Sequence, residues 1–321
     1  MDACLRIGGS VLAALALVVA ACSRQRSVQQ MASDDPSRAQ RPMVPIDWKL
    51  VDEGLGKSGS LQPDGAYKVG LPRGDLHVTV AGVSVKPTLA LGSWVAFEQV
   101  TDTEAVLMGD LVLLEREVAP VLGKLQESGI EQTALHNHLL HESPRVLYLH
   151  IRGRGTPARL AAAMHAALAL TATPFGTTST GVPAGPLGID TARIGQLLGY
   201  HGKVNGGVYQ VGVPRAEQIT ADGIDVAASM GLATAINFQP TDGGKAAITG
   251  DFVLIGSEVT SVIGALRDNG IDITALHSHM LTDSPRLFFM HYWANDDALK
   301  LARGLRAALD RMNVKKPSSR R

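Results

Sequence analysis

The sequence predicts an α+β fold built by tandem duplication, each half a mainly antiparallel sheet with helices packed on one face. Three observations point there. Thr133–His150, TALHNHLLHESPRVLYLH, returns as Thr274–His291, TALHSHMLTDSPRLFFMH. The wider segments Gly123–His150 and Gly264–His291 align without a gap, with half of their positions identical. Each half then runs strand-rich first and β-α-β-β-α second, an order suited to helices on one face of a sheet. A ferredoxin-like core is the specific expectation, its missing strand supplied by the strand-rich part. A repeat this long is a duplicated domain and not a solenoid unit.

The elements follow in order. Ahead of the first domain, residues 1–21 read as a signal peptide: Arg6 is basic, and Val11–Ala21 is apolar but too short for the ~20 residues that span a bilayer. The run Val19-Ala20-Ala21-Cys22 resembles a bacterial lipobox, which makes Cys22 the lipidated residue. Residues 22–45 then read as a flexible polar tether. The first domain spans 46–170, residues 171–188 form a Thr-, Gly- and Pro-rich linker, the second domain spans 189–312, and 313–321 is a frayed basic tail.

A short helix opens each domain, Trp48–Leu55 and Thr191–Leu198. Val- and Tyr-rich strands follow at Tyr67–Leu71, His77–Val80 and Trp94–Gln99. Stronger strands come next, Ala105–Leu114 and Ala247–Ile255. Val118, Val121, Leu122 and Leu125 then recur at helical spacing, as do Val259, Val262, Ile263 and Leu266. Gly129 and Gly270 stand where a left-handed cap ends a helix. The His-bearing segment reads as two strands joined by a Ser-Pro-Arg turn. Thr156-Pro157 starts the closing helix, whose apolar stripe is Leu160, Met164 and Leu168, matched by Leu301, Leu305 and Leu309.

Composition narrows the function. With 30 basic and 30 acidic residues and no basic stripe, the chain is not expected to bind nucleic acid. Aromatic residues at 4% argue against a stacking platform for bases or sugars. The sequence holds no Gly-x-Ser-x-Gly elbow, phosphate-binding glycine loop, Cys-based metal motif or His-Glu-x-x-His. Serine hydrolase, nucleotide-cofactor and zincin readings lose ground.

What stands out is histidine. Residues two apart in a strand share a face, so His136 and His138 point the same way. A hairpin centred on Ser143 places His136 opposite His150 and His138 opposite Tyr148. The same construction joins His277, His279 and His291, with Phe289 opposite His279. Three neutral imidazoles per half suit Zn²⁺ first, with Cu²⁺ or Ni²⁺ as alternatives. Asp110 and Asp251, each in a repeated Gly-Asp pair read as a turn, are the carboxylates expected to orient or complete the set. Glu117 and Glu258 read as ordinary first-turn carboxylates. Arg145 and Arg286, and the Pro-Arg pairs at Arg73 and Arg215, either recognise an anionic ligand or serve the surface, with the surface role favoured. His77, His165 and His201 read as surface residues, His141 as facing away from the site, and Met280 and Met290 as core residues behind the histidines.

The run of Pro-Arg, Gly-Asp, a Glu-Val helix and ALHNHLL…SPR…H behind a lipobox resembles the LppY/LpqO family of bacterial lipoproteins, whose repeating unit is a domain of unknown function, DUF1259. The resemblance covers about Ile46–Met312. It implies a bacterial cell-envelope protein anchored by its N-terminal lipid, and it implies no reaction. Ser23 after Cys22 leans towards the periplasmic side of the outer membrane in a Gram-negative host. Three uses of the site stay open: metal-dependent hydrolysis or hydration assisted by Tyr148 or Asp110, metal binding without chemistry, or an envelope ligand- or partner-binding module with the histidines as polar core. The second half lacks Tyr148 and His141, so the two sites are not expected to be equivalent, and the first is favoured for chemistry.

Overall fold

The computed structural model describes residues 43–176 and 187–316. The signal peptide, Cys22, most of the tether, the middle of the linker and the last five residues of the tail lie outside the described residues. The first half runs α1 (Lys49–Leu55), β1 (Ser60–Leu61), β2 (Tyr67–Pro72), β3 (Val78–Val80), β4 (Val83–Val85), α2 (Pro87–Ala90), β5 (Gly92–Gln99), β6 (Ala105–Leu114), α3 (Glu115–Glu127), β7 (Glu131–His136), β8 (Glu142–Ser143), β9 (Val146–Gly155) and α4 (Pro157–Leu168). The second runs α5 (Thr191–Leu198), β10 (Lys203–Asn205), β11 (Val208–Pro214), β12 (Thr220–Ala221), β13 (Ile224–Asp225), β14 (Ala233–Pro240), β15 (Lys245–Ile255), α6 (Val259–Asp268), β16 (Asp272–His277), β17 (Asp283–Ser284), β18 (Leu287–Asp297) and α7 (Ala298–Leu309).

Each half forms a six-stranded antiparallel sheet, ordered β1-β2-β5-β6-β9-β7 and β10-β11-β14-β15-β18-β16. The strands β7-β9-β6-β5 reproduce the ferredoxin-like order, with the outer strand drawn from upstream of the βαββα run. Helices α1, α3 and α4 cover one face through Leu55, Val121, Leu125, Leu160 and Met164, packed on Leu107, Leu111 and Leu149. Every residue of β6 is buried. A strand buried on both faces must be covered twice, and the second cover is the other half of the chain.

Two further cores mix residues of both halves. Tyr148, Val112 and Leu91 pack with Val208, Ala247 and Trp293. Ala96, Val106 and Met108 pack with Met230, Leu232 and Phe289. Short sheets β4-β3-β8 and β13-β12-β17 flank these contacts. Two side-chain amides tie the halves: buried Gln239 accepts from the Lys86 backbone and donates to the Ser84 carbonyl, while half-buried Asn237 donates to the Leu89 carbonyl. In return Ser229 binds the Asp64 carboxylate twice, and Arg152 pairs with Asp222. The described residues from 45 onwards are thus one compact unit.

The structure corrects several local expectations. Gly109-Asp110 and Gly250-Asp251 are not turns but mid-strand pairs in β6 and β15. Their glycines are there for space: a Cβ on Gly109 would lie 2.9 Å from the Trp94 carbonyl, and one on Gly250 would strike Ala235. The His-bearing segment is no simple hairpin, because β8 leaves to pair with β3 and β17 with β12. Both Ser-Pro bonds in these loops are cis. Thr156 occupies the N-cap of α4 with extended backbone, but its side chain makes no capping bond. Gly129 and Gly270 do adopt the left-handed conformation, each with φ 70. The tail is not frayed from its start, since Lys315 N–H donates to the Pro214 carbonyl.

Arg73 and Arg215 serve the scaffold. Arg73 is fully buried, bonding Glu117 at 2.8 Å and 3.1 Å, Asp75, and the Val112 carbonyl. Arg215 repeats this with Glu258, Glu217 and the Val253 carbonyl. Glu117 and Glu258 are therefore more than first-turn carboxylates: each closes a buried ion pair and accepts its helix-entry N–H. Breaking such a pair from one side costs ~3–5 kcal/mol.

Candidate metal centre

The two histidine sets form one cluster between the sheets. Strand register places them differently from the hairpin expectation. Ala134 lies opposite His150 and His136 opposite Tyr148, with an irregularity between Gln132 and Ala134. Likewise Ala275 lies opposite His291 and His277 opposite Phe289. This two-residue slip keeps the face, because side chains alternate with period two. Strand β7 ends at His136, so His138 reaches the site from the loop, its ring 3.3 Å from Tyr148 between centroids. His279 stacks on Phe289 at 3.5 Å in the same way.

Rings from opposite halves meet in three pairs. His136 and His277 lie 3.5 Å apart between centroids, His138 and His291 3.7 Å, and His150 and His279 3.6 Å. Thr274 Oγ1 donates to the His138 carbonyl, which fixes one half's loop on the other's strand. Ligand atoms of His136, His138 and His150 fall within 4.8 Å of one another, and so do those of His136, His277, His279 and His291. His136 belongs to both sets, so the two triads are not separate sites.

The carboxylates stand behind the rings. Asp110 in β6 lies opposite His150, and its oxygens sit 3.8 Å from His150 Nε2 and 4.0 Å from His138 Nε2. Asp251 in β15 lies opposite His291, 3.8 Å from His279 Nε2 and 4.0 Å from His291 Nδ1. These separations are longer than hydrogen bonds. His291 Nδ1 is 2.9 Å from the Gly250 carbonyl; when that nitrogen carries the proton, Nε2 keeps its lone pair for a ligand. The Nε2 atoms of all six histidines, and one oxygen of each aspartate, are shielded from solvent and lack a hydrogen-bond partner.

Burial sets the ionisation. It pushes His136 down to about 4 and His277 to about 3, and the other four rings well below their ordinary value, with neighbouring rings adding to the effect. The rings are neutral at pH 7, the form that binds metal. Burial raises Asp110 to about 8, opposed by Lys68, and raises Asp251 well above the carboxylate range, helped by Asp110.

A cavity of about 350 Å³ runs between the sheets up to this cluster. Asp110, Asp251, His138, His150, His279 and His291 form its inner wall, while exposed Gly92 and Gly212 lie at its rim. Tyr148 also lines it, but its hydroxyl donates to the Ala90 carbonyl at 2.7 Å, so it supports His138 and is not a free acid. Lys68 was not singled out by the sequence, yet its side chain lines the same cavity. One signal could have found it: Lys68 stands where the second half has Gln210, inside an otherwise matching Tyr-x-Val-Gly-x-Pro-Arg run.

The remaining residues fall outside the cluster. His77, His141, His165 and His201 are exposed. His141 adopts a left-handed backbone in the loop, so strand parity does not apply to it. Arg286 pairs with Asp283 at 2.9 Å and donates to the Met280 and Leu281 carbonyls, while Arg145 is exposed. Met290 packs under the helices. Met280 is buried but faces the other half beside His279, a correction with the same cause: the chain leaves the strand at His277.

No curated protein matches the chain. Among solved structures it is similar to the crystal structure of a trimeric bacterial microcompartment shell protein, PduB, at 14% identity, with a TM-score of 0.23 over 82% of this chain and 99% of that one. That score is too low to carry any statement on fold or function. A family model described as Domain of Unknown Function (DUF1259) matches residues 49–170 and again 192–311. The chain belongs to the DUF1259 family and carries two copies of its domain.

Proposed function

We propose that this protein binds a divalent transition metal in a single centre assembled from both repeats. The observation that carries the reading is the set of six shielded imidazole Nε2 atoms without partners, aimed into one cluster with two carboxylates. A buried polar atom left unpaired costs about 1–3 kcal/mol, and a metal ion satisfies several at once. Imidazole and carboxylate donors without thiolate favour Zn²⁺, with Cu²⁺ or Ni²⁺ next. When bound, such an ion supplies a Lewis acid and lowers the pKa of water. The cavity gives a small molecule access to the centre, which favours metal-dependent hydrolysis over storage. Asp110 and Asp251 stand at the atoms where a proton would be held.

The test is the metal content of residues 23–321, purified without an affinity tag and reconstituted with Zn²⁺. About one equivalent is expected if the six imidazoles share one centre; two equivalents bound independently, one per triad, overturn the single centre. No bound metal after reconstitution overturns the reading. A hydrolase screen of His138→Ala and His279→Ala against the parent then separates chemistry from storage.

We further infer that the chain is anchored in the cell envelope by lipid at Cys22, on the support of the Val19-Ala20-Ala21-Cys22 run and the polar segment after it. Cys22→Ala is expected to move the protein from the membrane fraction to the soluble fraction of the envelope. A variant that stays with the membrane refutes the anchor.

A further inference from the structure

The cleft between the sheets is symmetric in backbone and asymmetric in charge. Lys68 and Gln210 stand at equivalent positions in β2 and β11, and both line the cavity. Lys68 Nζ contacts the Ser229 carbonyl at 2.8 Å and sits 4.0 Å over the Trp94 ring. It feels Asp110 and Asp64 through space but forms no ion pair among the described residues. On the other side Gln210 donates to the Thr88 carbonyl, and Ala235 replaces Trp94. A half-buried ammonium therefore faces the cleft on one side only.

A second observation concerns Gly70 and Gly212. Both sit in strand interiors at the same position of the two repeats, where glycine destabilises a strand by its conformational freedom. Neither has positive φ, and a Cβ on either would meet nothing within 4 Å. Turn geometry and close packing are thus both excluded as reasons. Glycine in a strand also marks the approach of a ligand, and Gly212 lines this cavity.

We propose that the cleft binds a small molecule bearing a single carboxylate, held by Lys68 at one end and reaching the histidine cluster at the other. One ammonium, without an arginine fork or a nest of N–H groups, matches a monoanion better than a phosphate. Among the described residues no other lysine or arginine lines the cavity, so a polyanion finds no second cation there. Only the contact at the far end rests on the metal reading; the Lys68 contact stands without it.

The experiment is isothermal titration of the full chain, purified in detergent without a tag, with butyrate and with butyramide as its uncharged match. Butyrate is expected to bind in the millimolar range, as a ligand of so few atoms must. Butyramide should bind at least about tenfold more weakly, and Lys68→Gln should bring butyrate down to the same level. The fold accepts glutamine at the equivalent position, Gln210, so this variant is expected to fold. Lys68→Arg should retain binding, and Gly212→Val should block it. Equal binding of acid and amide, no butyrate binding, or an unchanged affinity in Lys68→Gln overturns the proposal. Metal content measured on the same samples separates the two readings. Metal without butyrate binding overturns this proposal alone, and Lys68-dependent binding in a chain that takes up no metal supports it while the metal reading falls.

Discussion

The two halves agree in what builds the site and differ in what surrounds it. The buried arginine networks, the six histidines and the two aspartates recur residue for residue. Lys68 in one half corresponds to Gln210 in the other, Trp94 to Ala235, Tyr148 to Phe289 and Arg152 to Trp293 in the same framework. The comparison teaches that donors and scaffold hold their identity while the cleft walls are free to specialise. A ligand entering the cleft meets two different sides although it meets one symmetric cluster.

The largest effect tests whether the scaffolds are equivalent. Arg73→Met and Arg215→Met should each cost about 3–5 kcal/mol in urea unfolding, because each strands a buried Glu117 or Glu258. A clear difference between them would break the equivalence.

The next effect tests the cluster as a unit, in metal-free protein. Unfolded histidines take up protons near 6.5, but folded His136 does so only near 4 and His277 near 3. Between these values the unfolded chain binds more protons, so stability falls as pH drops from 6.5. Asp110, raised to about 8, works the other way, because the folded state holds its proton between 3.8 and 8. Six rings outweigh two carboxylates below 6.5, and the carboxylates act alone above it. The melting temperature of metal-free protein should therefore peak near neutral pH and fall by several degrees on acidification. A flat profile from pH 7 to pH 4.5 would contradict neutral buried rings.

Smaller still, Asp110→Asn and Asp251→Asn should each weaken metal binding by about 10–100-fold, measured by competition with a chelator. Equal losses mean that the halves share the ion's environment evenly. The smallest effect is Tyr148→Phe, which makes the first half resemble the second. It should cost about 1 kcal/mol through the lost bond to Ala90 and leave metal content unchanged.

Much of the fold was legible because the repeat supplies a second copy of each signal. The β-α-β-β-α order, Gly129 and Gly270 as caps, and the apolar stripe Leu160, Met164 and Leu168 all appear twice in equivalent form. The site residues were legible by type, since six histidines hold the same positions in both copies. Their partnership was not. The contacts of His136 with His277 and of His150 with His279 join segments more than a hundred residues apart, and neither repeat encodes its partner's orientation. Gly109 and Gly250 were misread because glycine signals turns and close packing alike. The register was misread because β8 and β17 pair with other strands, which lengthens a connection that looks like a turn. Buried Arg73 looked like a surface cation because its acceptors, Glu117 and the Val112 carbonyl, are remote in sequence.

The shared position of His136 between the two ligand sets bears on how such a chain could arise. A protein with one repeat could complete this cluster only by pairing with a copy of itself about a twofold axis. In that homodimer every substitution at the axis appears twice, so an added lysine would place two like charges across the cleft. Joining the copies in one gene removes that constraint. Each half can then mutate alone, and the cleft gains a head and a tail around a centre that keeps its symmetry.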